Sequence, residues 1–366
     1  MTHQDVTVTT DEFDVVRYRR SDRDRVFAFL REALSEDDSA RLSQQWDWKY
    51  DANPFNPDDG PHILLLQARG QLVAMYGRLF FPIVIDGSEH LAHHGCDLLV
   101  HPAYRGRRLS AHLRGPELTE SPIHFSWQNE ASYRVASRDG TEGAPFVSLV
   151  RPLDVTRVVR RMAGERWFGR AAGTLIDRTL RYMPPFRHHA AAVPGIVVTR
   201  TQSIDERIDR LWQQACRDFP VMIVRDRRYL QWRFMQRPDA NYTILIASKD
   251  SAVLGYMVTR CTDAGAERWG YLVDFLVQDR SPRLFALLLQ QALNDFRQEG
   301  AAAVRCRVAV PPYRRMLYQH GFIRSPWGVK GYIRGRIQLP DSAAQVCGDA
   351  RQWFLTMGDG DLEMSF

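Results

Sequence analysis

The fold prediction for this chain depends on the stretch from Asp97 to Leu113, which reads D-L-L-V-H-P-A-Y-R-G-R-R-L-S-A-H-L. The apolar run 98–100 is typical of a buried strand, and Pro102, which cannot donate to a ladder, marks its end. A short basic turn, 104–108, follows, and a helix is expected to open at Leu109. Free amides and the positive end of the helix dipole converge at such a turn, so the stretch predicts an anion site with arginine side chains around it.

The same string resembles the acetyl-CoA pyrophosphate loop of the GNAT N-acetyltransferase superfamily, whose usual form is V-x-P-x-[YF]-R-G-x-G-[IL]-[GAFS]. Arg108 stands where the family has its second glycine, and Ser110 stands at the variable third position. The Arg108 side chain either crowds the diphosphate or binds it. The resemblance implies that acetyl-CoA is the acyl donor, held by strand, loop and helix residues: Leu98, Leu99, Val100, Arg105, Gly106, Arg107, Arg108, Leu109, Ser110 and Asn129.

An internal repeat predicts two units of one fold. W-K-Y-x-x-x-P, beginning at Trp48, recurs as W-R-F-x-x-x-P at Trp232, and D-L-L-V at Asp97 recurs as D-F-L-V at Asp274. A β-rich segment separates the two motifs in each copy. Self-similarity on this scale indicates two structural units, and units of about 150 residues suit a chain of 366 residues.

The two copies differ at the anion loop. After Val277 the second copy reads Q-D-R-S-P-R-L, which has no glycine, carries the acidic Asp279 and contains Pro282, which has no amide proton. We therefore expect the second copy not to bind CoA. The predicted fold class is α/β (an α+β mixed sheet) with two tandem GNAT-like acyl-CoA N-acyltransferase units, the second degenerate. The predicted parts are a GNAT domain with the CoA loop at 1–155, a basic helical linker at 156–195, a degenerate GNAT-like domain at 196–340 and a C-terminal tail at 341–366.

A subgroup resemblance covers most of the chain. W-x-W-K-Y followed by N-P, at 46–54, is similar to tandem GNAT proteins of the enhanced-intracellular-survival type, and the residues 353–361 resemble a tail found in bacterial tandem members. The W-x-W-K-Y segment is expected at the end of a helix over 38–50.

Composition and charge limit the functional classes. The chain has 45% hydrophobic and 25% charged residues, as in ordinary globular proteins, and no apolar run long enough for a membrane helix. An acidic N-terminal stretch does not fit a signal peptide, and five scattered cysteines without C-x-x-C fit reduced thiols rather than disulfides or zinc ligands. We therefore expect a cytoplasmic protein that uses no metal, as a monomer or a homodimer.

The formal net charge of +6 is concentrated in the arginine-rich segment 151–189. We interpret this segment as a helical connector with a solvated arginine face. The alternative is an amphipathic helix that contacts an anionic membrane surface or a polyanionic substrate. No RNP, helix-turn-helix or zinc-finger pattern accompanies the charge, so a nucleic-acid partner is not expected.

Acetyl transfer to an amine needs a base for the amine, a donor to the thioester oxygen and a proton for the leaving thiolate. By resemblance, the pantetheine pairs with the strand edge 98–100, with the Val100 amide near the thioester oxygen. Asn129 then falls where family members contact CoA, and Tyr133 where they protonate the thiolate. Tyr133 is the predicted general acid, although it could equally be a packing residue.

His94 and Asp97 are the candidates for the general base. An imidazole is well suited to accept a proton near neutral pH, and His94 lies close to where some GNAT members carry a glutamate. Asp97 recurs as Asp274 in the copy that lacks the loop, which indicates a structural role. A metal site that combines His93, His94, Cys96 and His101 is not expected, because neighbouring strand side chains point to opposite faces.

These features predict an N-acetyltransferase in which a primary amine of a small molecule, sugar or peptide attacks the thioester directly. One alternative is a non-catalytic CoA-binding or scaffold protein with a decayed site, which Arg108 favours. Another is an aminoacyl-tRNA-dependent transferase of the kind also built from two GNAT units. The R-G loop argues against the last alternative, because such proteins lose the CoA phosphate site.

Overall fold

The computed structural model describes residues 9–10, 13–57, 60–114, 123–128, 143–144, 147–154, 157, 193–325, 330–334 and 339–360. These residues form a mixed ten-stranded sheet and a mixed seven-stranded sheet, called here the first and second sheets. Antiparallel hairpins build most of each sheet, and one parallel pair follows the longest hairpin of each. The predicted α/β class with two tandem units of one fold is confirmed.

The first half of the chain contributes strands β1 to β8 and helices α1 to α3. The strands are Thr9–Thr10, Phe13–Arg17, His62–Ala68, Gln71–Ile85, Ser88–Val100, Ile123–Gln128, Gly143–Ala144 and Val147–Pro152. The helices are Arg23–Ala33, Glu36–Trp46 and Ser110–Arg114.

The second half contributes strands β9 to β17 and helices α4 to α8. The strands are Ile196–Thr201, Val221–Ile223, Thr243–Lys249, Ala252–Ala264, Glu267–Val277, Ala303–Val308, Ile323–Arg324, Lys330–Arg334 and Trp353–Phe354. The helices are Arg207–Ala215, Arg227–Leu230, Pro282–Gln298, Pro311–Gln319 and Asp341–Gly348.

Both copies of the repeated tryptophan motif form a π-helical turn. The predicted helix over 38–50 is an α-helix only as far as Trp46, and Asp47–Asp51 then winds with the wider π geometry. In the second copy Gln231–Met235 does the same after α5. A π-turn rotates side chains relative to a regular helix and is frequent at functional sites. Here it buries the cations Lys49 and Arg233 with their aromatic neighbours.

The two halves of the chain exchange strands. β8, from the first half, pairs antiparallel with β14 in the second sheet, while β16, from the second half, pairs antiparallel with β6 in the first sheet. The domain limits 1–155 and 196–340 therefore separate the two copies of the repeat but do not separate the two sheets. A local hydrophobic pattern predicts a strand but not the sheet in which it pairs, so this exchange could not be read from the sequence.

Candidate functional site

The first sheet opens between its two central parallel strands. β5 and β6 pair in parallel only from Ala92↔Ile123 to His94↔Phe125, and the other edge of β6 pairs with β16 over His124 to Gln128. Among the described residues, the edge of β5 over 95–100 has no strand partner on this side. That edge is about 20 Å long at the usual rise of a strand. We call this V-shaped opening the first cleft; it is closed at His94 and leads to the predicted anion loop at Val100.

A β-bulge shapes the edge of the first cleft. The register between β4 and β5 shifts between Met75 and Gly77, and Asp97 takes a left-handed φ of 48°. The Lys49 Nζ atom lies 2.7 Å from the Asp97 carboxylate, and the Tyr50 hydroxyl donates to the same oxygen. Burial, followed by the Asp97 charge, raises the pKa of Tyr50 well above its usual range, so the phenol stays protonated and donates. Asp97 is thus engaged in anchoring the bulge.

The loop that follows β5 presents free backbone amides. His101 caps a short helical turn at Pro102–Tyr104, and its Nδ1 accepts a hydrogen bond from the Ala103 amide at 3.2 Å. Gly106 and Arg108 then take left-handed φ values of 84° and 58°. In the described part of the chain, the amides of Gly106, Arg108 and Leu109 make no hydrogen bond. Arg108 therefore keeps the backbone path that a glycine would take, and the loop can still offer its amides to a diphosphate.

The three loop arginines have different surroundings. Arg105 donates to the Val100 carbonyl at 3.2 Å and to the Ala33 carbonyl at 3.0 Å, so its guanidinium ties the loop to the end of α1. The Arg107 guanidinium lies 5.1 Å from the centre of the Tyr104 ring. Arg108 is exposed, and its side chain makes no hydrogen bond, ion pair or ring contact with the described residues. Arg108, rather than Arg105, is the arginine free to bind a phosphate.

Imidazole rings surround the closed end of the first cleft. His94 is fully buried, with its ring centre 5.1 Å from that of Phe125. On the opposite face His93 stacks on His124 at 4.8 Å, and the Tyr76 hydroxyl lies 3.1 Å from His124 Nε2. Burial, and then the neighbouring His124, lower the pKa of His93 well below its usual range. Of the two predicted bases, His94 and Asp97, His94 is the one at the closed end of the first cleft.

A corresponding opening in the second sheet is filled by the chain itself. β13 and β14 pair in parallel only as far as Leu272↔Cys306, and the space beyond is the second cleft. The C-terminal segment 353–360 enters it: the Gly358 amide donates to the Val273 carbonyl at 2.8 Å, and the Ala309 amide donates to the Leu355 carbonyl at 3.1 Å. The second cleft therefore has no room for another extended ligand.

A fully buried charge network holds this C-terminal segment. Arg225 lies 3.2 Å from the Asp274 carboxylate and 2.6 Å from that of Asp359, and all three side chains are inaccessible to solvent. The Thr356 and Tyr256 hydroxyls each donate to Asp274 at 2.7 Å. Removing the segment would leave a buried guanidinium and a buried carboxylate with fewer partners, which is costly in a low-dielectric interior.

Two of the predicted site residues are not among the described ones. Asn129 and Tyr133 lie outside the described residues. In the described ranges, no group of three or more histidine, cysteine, aspartate or glutamate side chains could hold a metal ion, and none of the helices is both long and apolar enough to cross a membrane. Sequence reasoning missed Lys49, Tyr76 and His124. For Lys49 a signal existed, because both copies of the tryptophan motif carry a cation after the tryptophan.

No protein-family model matches the chain, and no curated protein matches it by sequence. Its structure is similar to solved structures of acyltransferases. Saccharomyces cerevisiae N-myristoyltransferase with bound myristoyl-CoA superposes with a TM-score of 0.59 at 13% identity, covering 91% of this chain and 85% of that one. A GCN5-related N-acetyltransferase from Anabaena variabilis gives a TM-score of 0.58 at 11% identity, covering 88% of this chain and 73% of that one. The chain therefore has the GNAT fold over most of its length.

Proposed function

We propose that the chain is an N-acyltransferase that takes an acyl group, in the first place acetyl, from CoA and transfers it to a primary amine. The observation that carries this proposal is the contrast between the two clefts. Among the described residues nothing fills the first cleft, which ends at a loop with free amides, whereas the segment 353–360 fills the second. One chain therefore offers one CoA site. Tandem units of the enhanced-intracellular-survival type, with limits at 1–155 and 196–340, fit this division of roles.

The proposed reaction uses the two ends of the first cleft. The diphosphate binds at the loop over 106–110, and the pantetheine extends along 98–100 toward the closed end. There the amine nitrogen bonds to the thioester carbon and the carbon–sulfur bond breaks. His94 accepts the proton that the amine loses, directly or through a water, and Tyr133 supplies a proton to the departing thiolate. Asp97 is the weaker candidate for the base, because Lys49 and Tyr50 already occupy its carboxylate.

The acceptor class is a small-molecule, sugar or peptide amine, and we propose that the enzyme acts in the cytoplasm as a monomer or a homodimer. A non-catalytic CoA-binding protein is the second candidate, because Arg108 replaces the second glycine of the loop. The left-handed φ of Arg108, 58°, favours the enzyme, since the loop keeps the glycine conformation despite the replacement.

Calorimetry with acetyl-CoA tests the proposal. We expect one binding site per chain, followed in an amine screen by release of free CoA thiol. Two equal sites would contradict the filled second cleft. Binding without thiol release from any amine class would favour the non-catalytic alternative, and absence of binding would refute the proposal.

A further inference from the structure

Lys49 and Arg233 occupy the same position in the two copies of the tryptophan motif, each within a π-helical turn. In the second unit the role of this cation is visible. Arg233 is fully buried, its Nε donates to the Gly358 carbonyl at 3.0 Å, and its terminal nitrogen donates to the Gly360 carbonyl at 2.9 Å. The cation therefore binds carbonyl oxygens of the segment that fills the second cleft.

The register between β12 and β13 shifts between Val258 and Thr259, which gives the second sheet a bulge beside Asp274. Gly358 lies directly against this second bulge. Its amide donates to the Val273 carbonyl, the residue before Asp274. A Cβ atom on Gly358 would lie 3.1 Å from the Asp274 Cβ atom and 3.0 Å from the Phe234 ring. The Gly358 peptide group, whose carbonyl Arg233 binds, is thus held between Asp274 and the π-helical turn.

The first unit has the same parts without the C-terminal segment. Lys49 replaces Arg233, and Asp97 replaces Asp274 at the bulge. The Lys49 Nζ atom lies 2.7 Å from Asp97; the lysine side chain is only 2% exposed, but that of Asp97 is 18% exposed. The corresponding Asp274 is completely buried beneath the C-terminal segment. Because Asp97 lies on the stretch of β5 that does not pair with β6, the ion pair in the first unit borders the first cleft.

The direction of the donor decides which oxygen reaches this ion pair. A CoA with its diphosphate on the loop must extend from Val100 toward His94, because the cleft is closed at His94. The acyl end then lies nearest the closed end. The bulge at Asp97 lies on this path, between the loop and the closed end. A thioester seated at the bulge has its oxygen beside Lys49 rather than at the Val100 amide that the resemblance implied.

We propose that Lys49 is a catalytic residue that donates a hydrogen bond to the thioester carbonyl oxygen of bound acyl-CoA. This inference rests on the proposed function. When the amine attacks, the carbonyl π electrons move onto the oxygen, and a buried ammonium group stabilises that charge more than water does. Asp97 and Tyr50 orient the ammonium, as Asp97 accepts from both.

Isotope-edited infrared spectroscopy of the full chain with carbonyl-13C acetyl-CoA tests this role without knowledge of the acceptor. In the parent, the thioester carbonyl band should move to lower wavenumber on binding. In Lys49→Met the shift should be lost while calorimetry still detects the donor, and in Lys49→Arg, which copies the second unit, it should persist. Arg233→Met is the matched control: it removes the cation of the filled cleft and should leave the band of the bound donor shifted.

Two outcomes overturn the inference: an unshifted band in the parent with bound donor, or an unchanged shift in Lys49→Met. If Lys49→Met does not fold, Lys49→Gln keeps a neutral donor of similar reach and should show a reduced shift; a full shift in this variant contradicts a charged donor. Failure of the proposed function is distinguishable, because the parent would then show no heat of acetyl-CoA binding, or would bind acetyl-CoA without releasing thiol to any amine class.

Discussion

The indole of Trp48 donates a hydrogen bond to the Trp232 carbonyl at 2.7 Å, and the indole of Trp232 donates to the Trp48 carbonyl at 3.0 Å. The two rings stack with centres 5.4 Å apart and an interplanar angle of 21°. Each tryptophan is the first residue of the repeated motif. A contact in which each residue makes the same bond to the other is the signature of a two-fold relation, here within one chain. The two units are therefore joined at their repeat motifs as well as by the exchanged strands β8 and β16.

Replacing either tryptophan should weaken this joint. Trp48→Phe removes an indole donor and leaves the Trp232 carbonyl buried without it, and Trp232→Phe does the converse. We expect each to lower the free energy of unfolding by about 1–3 kcal/mol, the cost of an unsatisfied buried group. Urea unfolding followed by circular dichroism measures this. Trp212→Phe removes a core indole outside the pair and is the control. A loss in only one of the two paired variants would contradict the reciprocal arrangement.

Stability should fall as the pH drops below neutrality, because His93 is held neutral in the folded state. Burial lowers the pKa of His93 well below its ordinary value of about 6.5. The unfolded chain then binds the proton first, so stability is present above pH 6.5 and decreases below it by about 1.4 kcal/mol per pH unit for this group. Urea midpoints at pH 7.5 and 5.5 test this. His93→Gln should flatten the difference, and an equally steep change in that variant would assign the effect to other groups.

The string at 97–113 was sufficient to predict the loop and, by resemblance, the strand edge beside it, because those features are local. The repeat likewise predicted two units. The exchange of β8 and β16 was not predictable, because their pairing depends on contacts between residues far apart in sequence. The missing glycine after Val277 predicted that the second unit does not bind CoA. It did not reveal that Gly358 fills the second cleft, since that contact also joins distant parts of the chain.

The buried charge network should make Asp359 far more important for stability than a comparable surface aspartate. Asp359→Asn removes one of the two carboxylates that compensate Arg225 in a solvent-free site. Breaking a buried pair costs about 3–5 kcal/mol, so the variant should unfold at much lower urea concentration. Asp349→Asn is the matched control, because Asp349 pairs with the exposed Arg351 and should change little. Equal effects of the two variants would show that the C-terminal segment is not fixed by its charges. Acetyl-CoA should still bind once per chain in the folded fraction.

The backbone conformation of Arg108 lowers the stability of the protein, whereas its side chain is expected to favour CoA binding. Its φ of 58° is a conformation that glycine adopts without strain, so Arg108→Gly should raise the free energy of unfolding by about 1–2 kcal/mol. The same change removes the exposed guanidinium beside the free amides, and a charged hydrogen bond is worth about 1.5–3 kcal/mol. Acetyl-CoA affinity should therefore fall by about ten-fold or more in a more stable protein.

Arg108→Ala separates the two effects, since it loses the charge but keeps the strain. The acetyl-CoA affinity of this variant should fall as well, without the gain in stability. Calorimetry and urea unfolding measure both quantities. If Arg108→Gly instead binds acetyl-CoA more tightly than the parent, the arginine obstructs the loop, and the decayed-site alternative gains over the enzyme.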